Sequence, residues 1–193
     1  MIAIDTVLEH YRDVVECLRL VHLHGIADIR FAGLTQAQLS DRLAEVRVEL
    51  DRQTVLALVT SAEATIRLDF MERLIAGPRH FFLLRRLAFK LRLPPSWWQR
   101  LGSLEERFCD LEVRYGKRVP LEEILAAWKM DGADAHKVGA FKPILRHRHW
   151  LAHGRYFPDK SGYAVPPAPP MIHGAIGALF AELKKRRADF PRP

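Results

Sequence analysis

The stretch TQAQLSDRLAEVRVELDRQTVLALVTSAEATIRLDFMERLIA, Thr35 to Ala76, contains neither proline nor glycine. Thr35 and Gln38 have the spacing of a capping box, in which an N-cap side chain and one three residues later each serve the other's backbone N–H. Beyond it Leu39, Leu43, Val46, Leu50, Leu56, Val59, Ala62, Ile66 and Phe70 recur at helical spacing. The pattern predicts one long helix to about Ala76, with a candidate break near Gln53. Gly77-Pro78 ends it, because proline cannot continue the hydrogen-bond ladder.

The flanking sequence reads the same way. Val7, Leu8, Tyr11, Val14, Val15, Leu18 and Val21 form an apolar stripe that predicts a helix from Asp5 to about His24. His22 and His24 then read as capping or surface residues, and Gly25 to Gly33 as a connection. Downstream, Ser103 with Glu106 forms a second capping box, opening a helix that Gly116 closes. Pro120 opens a short helix carrying Leu121, Ile124, Leu125 and Trp128. Asp131-Gly132 is a turn. Phe157 to Pro170 is a proline-rich loop. Met171 to about Ala188 is a last helix, with Ile172, Ile176, Leu179, Phe180 and Leu183 apolar and Lys184 to Arg187 basic at its end. With no strand pattern and no internal repeat, the expected fold is all-α. It is an up-and-down helical bundle in one domain, residues 1–193, with a Pro-rich loop before the last helix.

A chain of 193 residues with 49% hydrophobic content can bury a sizeable core. Its formal net charge of +7 favours an anionic partner, nucleic acid first. Cys17 and Cys109 are too few for a disulfide framework, and suit a reducing cytoplasm. No apolar run reaches the roughly 18 residues of a membrane span. Asp5 and Glu9 interrupt any leader-like pattern. The expectation is a cytoplasmic protein without a membrane partner.

Chemistry concentrates in RHRHWLAHGR, Arg146 to Arg155, which holds three histidines and three arginines; no Asp or Glu occurs between Asp134 and Asp159. The neighbourhood reads as a helix with Pro143 in its first turn and Gly154 as its stop. His149 and His153, four apart, share a face. Arg148 precedes His153 by five residues, about 140° around the axis. It can wrap part of that distance or meet a histidine across a two-fold dimer axis. Imidazole is the natural acid or base near neutral pH, and guanidinium the natural clamp for phosphate. Together they suit phosphodiester chemistry on RNA, where the 2′-hydroxyl is a ready nucleophile. Glu63 and Asp69 of the long helix are either solvated carboxylates or buried partners for these arginines.

The run Arg148-His149-Trp150-Leu151-Ala152-His153-Gly154 resembles the signature of the HEPN superfamily: an Arg, a polar residue, and a His after a gap of four to six. Arg146 also fits the gap. The resemblance implies an all-helical, dimeric, metal-independent RNase of toxin or defence type. Its composite interface site would take Arg148 and His153 from both protomers. It implies catalytic roles for Arg148, His149 and His153 and no cofactor. An antitoxin or other regulatory protein is an implied partner. Arg146 and Arg155 would hold flanking RNA phosphates. His149 departs from the more usual Asn or Asp, and Tyr156 does not stand two residues after the His as in some members. Members without activity bind RNA or protein, so a non-catalytic binding module is the alternative.

Other candidates are weaker. The segment His80 to Leu93 carries Arg85, Arg86, Lys90 and Arg92, which suit either an RNA-backbone track or an ordinary amphipathic helix. Trp97-Trp98 suits base stacking or a core. The spacing of His149 and His153 also occurs in zinc-binding helices, but Trp150 stands where the His-Glu-x-x-His pattern needs glutamate.

Overall fold

A computed structural model describes residues 3–25, 28–76, 120–130, 132–153, 162–163 and 165–186. Among these the protein is all-α, with five α-helices and one 3₁₀ turn, Ile29–Phe31, and no strand. The helices are α1 (Ile4–His24), α2 (Gln36–Ala76), α3 (Leu121–Met130), α4 (Ala135–His153) and α5 (Pro169–Arg186). The expected helix between Ser103 and Tyr115, the basic segment from His80 to Leu93 and the Trp97-Trp98 pair lie outside the described residues.

The capping box forms as the sequence predicts. The Thr35 backbone N–H donates to Gln38 Oε1 at 2.8 Å, and the Gln38 N–H donates to Thr35 Oγ1 at 3.2 Å. From there α2 is continuous through Gln53 to Ala76. Its expected apolar stripe is buried at Leu39, Val59, Ala62, Ile66 and Phe70, and the face departs from it elsewhere. Val46 is exposed, and Val55, Leu58, Val59, Ala62, Ile66 and Phe70 are buried beside Thr54, Ser61, Thr65 and Asp69. The buried stripe is therefore partly polar, and apolar residues alone mark it incompletely. Thr54 satisfies its hydroxyl within the helix by donating to the Leu50 carbonyl at 2.8 Å.

Two helix starts differ from expectation. α4 begins at Ala135 rather than in the turn of Pro143, because Asp134 caps it. Asp134 Oδ1 accepts from the His136 and Lys137 N–H groups at 2.8 and 3.4 Å. Pro143 lies inside the helix. It lacks a donor for the carbonyl of Gly139 four residues before, and glycine presents the least bulk there. α5 begins two residues early. Pro169 and Pro170 occupy its first turn, where no N–H is needed, and the Ala168 carbonyl accepts from Met171 and Ile172.

The described residues form two compact units. The first takes residues 3–62 and 143–177. In it α1 and α2 are antiparallel, because contacts rise along one as they fall along the other. Arg47 Nη2 donates to Tyr11 Oη at 2.6 Å, and Tyr11 Oη donates to Asp51 Oδ1 at 2.8 Å. Gln36 Nε2 donates to the His22 carbonyl. His173 Nε2 of α5 meets Asp5 Oδ1 of α1 at 2.7 Å. Buried in this unit are Ile4, Leu8, Leu39, Leu58, Ile144, Leu151, Ile172 and Ile176. Each such side chain contributes roughly 1.5–3 kcal/mol on leaving water, more than the ~1 kcal/mol of a helix cap. His22 and His24 are exposed.

The described part of the second unit takes residues 63–76, 120–142 and 178–186. It buries Ile66, Ile124, Leu125, Trp128, Val138, Phe141, Leu179 and Leu183. A polar clamp joins α5 to the start of α4. Glu182 accepts from the Asp134 N–H and from Lys137 Nζ, both at 3.3 Å. Burial pushes the Glu182 carboxyl up, but these donors outweigh it and hold it below the usual glutamate range. Hydrogen bonds from the His136 and Lys137 backbone, with the nearby Lys137 charge, hold Asp134 low against a smaller desolvation. Gly132 turns the chain between α3 and α4 at φ +90°, a left-handed conformation that favours glycine.

Candidate functional site

The C-terminal half of α4 sorts its residues by face. Ile144, His147 and Leu151 are buried, at offsets of three and seven that keep one helix side inward. Arg146, His149 and His153 are exposed, at offsets of three and seven on another side. Among the predicted site residues the structure brings three to one solvated face. The His149 and His153 rings lie 5.2 Å apart, tilted by 58°. Arg146 is one turn before His149 in the same row.

Arg148 goes elsewhere. It is half-buried, and its Nε is sealed from solvent. It stands about 140° around α4 from His153. Arg155 lies outside the described residues, as do Gly154 and Tyr156. Glu63 ion-pairs with Arg67 one turn on, at 3.1 Å, and Asp69 is fully buried rather than solvated.

The sequence pattern alone assigns His147 no role. This residue is 2% exposed. Its ring stacks on Trp150 with centroids 5.5 Å apart and 28° between planes, and meets Tyr163 edge-on at 5.8 Å. The buried row 144, 147, 151 is the signal that marks it as inward-facing. Trp150 is half-buried, and Tyr163 belongs to the irregular segment before α5.

Chemically, the exposed face offers two imidazoles in ring contact and one guanidinium. Such a pair can hold one proton acceptor and one proton donor side by side. Among the described residues no group of three or more His, Cys, Asp or Glu side chains is placed to hold a metal ion. No described helix is long and apolar enough to cross a membrane. Comparison with protein-family models, curated proteins and solved structures gives no match.

Proposed function

We propose that this protein is a metal-independent endoribonuclease of HEPN type, a toxin or defence component, cutting RNA at a dimer interface. The observation that carries the reading is the ring contact of His149 and His153 on an exposed, acid-free helix face beside Arg146. In the proposed reaction a neutral imidazole takes the proton of the ribose 2′-hydroxyl as the 2′-oxygen attacks phosphorus. A protonated imidazole gives its proton to the departing 5′-oxygen as the P–O5′ bond breaks. The products are a 2′,3′-cyclic phosphate and a 5′-hydroxyl. His153 is one of the two groups, and His149 is the second or orients it. Arg148 stabilises the phosphorane charge. Its place on the flank of α4 suits supply from a second copy across a two-fold axis. Arg146 and Arg155 hold neighbouring phosphates, and the net charge of +7 assists encounter with RNA.

The half-burial of Arg148 favours a second reading, a non-catalytic RNA- or protein-binding module in which this arginine has a structural role. Labelled total RNA incubated in EDTA with wild type and with His153→Ala separates them, with light scattering on both proteins. Cleavage by wild type alone, at equal oligomeric state, supports the nuclease. Cleavage that requires Mg²⁺, or none by either protein on a panel of RNAs, overturns it.

A further inference from the structure

We propose that Lys142 binds an RNA phosphate, so that the strand lies along α4 with two consecutive phosphates on Arg146 and Lys142, beyond the histidine pair. The inference rests on the RNA-directed reading above and gives its substrate a path.

The argument begins with register. On α4, Lys142, Arg146, His149 and His153 follow one another at steps of four, three and four residues. At about 100° per residue they fall within about 60° of arc, in one row about 16 Å long. All four are exposed. The row belongs to a single helix, so α4 alone sets its spacing. Lys142 stands about 6 Å along the axis from Arg146, one turn away. Both side chains are long and end in donors that suit phosphate oxygens. Before Lys142 the row continues through Gly139 and Ala135, which carry no charge, so the track ends at Lys142.

The second observation is the lack of competing carboxylates. Arg19, Arg30, Arg47, Arg52 and Arg67 each pair with an Asp or Glu no more than four residues away. α4 contains no acidic residue. Among the described residues, the Lys142 and Arg146 side chains have no ion-pair or hydrogen-bond partner. A paired cation must give up its carboxylate to take a phosphate. Here the exchange displaces only water and counterions, and release of the RNA's own counterions drives binding.

The test measures anisotropy of a labelled oligouridylate against cleavage-silenced His153→Ala protein in EDTA, across a salt series. Adding Lys142→Gln should weaken binding and flatten the slope of log affinity against log salt by about 0.7, the value of one single-strand phosphate contact. Between about 50 and 200 mM salt the parent then loses about 2.6-fold more affinity than the variant. Lys142→Arg should keep both affinity and slope. Lys129→Gln, which removes an exposed lysine from α3, should change neither. In protein with His153 intact, Lys142→Gln should raise KM and leave kcat unchanged, because Lys142 meets the strand away from the reacting bonds. Equal slopes for parent and Lys142→Gln, equal losses from the Lys129 variant, or polyglutamate bound as tightly as oligouridylate overturns the track. If wild type cleaves with KM and slope independent of Lys142, the track falls and the nuclease stands. If wild type never cleaves but Lys142-dependent binding persists, the nuclease falls and the track stands. If the parent binds no RNA, both fall.

Discussion

Replacing His149 and His153 by alanine, singly and together, tests the candidate site most directly, because the structure separates its effect on activity from its effect on stability. Both residues are exposed on α4, and their rings contact each other with centroids 5.2 Å apart. Exposed substitutions away from caps and cores change stability by no more than about 0.5 kcal/mol. In a chain of this size that is a Tm shift of about 1–2 °C. A general acid or base contributes about 10²–10⁴ in rate, or roughly 2.7–5.5 kcal/mol of barrier. Each single variant should therefore lose a hundredfold or more in cleavage while melting within about 2 °C of wild type. If the two imidazoles act as one unit, the double variant should be little worse than the poorer single one. The assay is gel-resolved cleavage of a labelled RNA under single-turnover conditions, with melting followed by circular dichroism. Cleavage retained by both single variants, or losses that track Tm, would refute the acid–base reading. Losses that multiply in the double variant would refute the idea of a coupled pair.

Three predictions concern the scaffold. Thr35→Ala removes the reciprocal cap of α2 and should cost about 1 kcal/mol in urea unfolding, with Thr35→Ser restoring most of it; an unchanged midpoint would show the cap to be idle. Trp128→Ala empties a fully buried site and should cost roughly 3–5 kcal/mol, against clearly less for Trp128→Phe; a loss below about 1 kcal/mol would contradict its burial. Glu182 and Asp134 are held below their ordinary values of 4.5 and 3.8, so the folded state favours their charged forms. Their contribution is present above those ordinary values and is lost as pH falls through the lowered ones. Tm should decline on acidification below about pH 4.5, and Glu182→Gln should flatten that decline; an identical acid limb in the variant would sink the assignment.

Periodicity and capping chemistry are local, so most of the described scaffold is legible in the chain. Thr35 and Gln38 cap α2 as their spacing requires, α1 runs over the expected stripe, and an all-α fold follows from helical spacing without strand signals. Local chemistry also explains the misplaced starts. Asp134 is a good cap, but Pro143 is the stronger boundary signal because proline usually stands in a first turn. Pro169 and Pro170 looked like loop although a first turn tolerates both. The fold around α2 was less legible, because Thr54, Ser61, Thr65 and Asp69 lie on its buried face and composition assigns such residues to water.

At the candidate site the sequence by itself determined the inventory: histidines and arginines crowded into one acid-free helix, with His149 and His153 on one face. The tertiary structure alone decided which of them meet solvent. Four consecutive residues of α4 divide among its faces, so His147 goes inside against Trp150 and Tyr163, Arg148 is half-covered, and His149 is open. The 3.6-residue repeat fixes the angles between these side chains, but not which angle faces the core. That choice belongs to Ile144 and Leu151, whose burial anchors the helix and thereby turns Arg146, His149 and His153 to the outside.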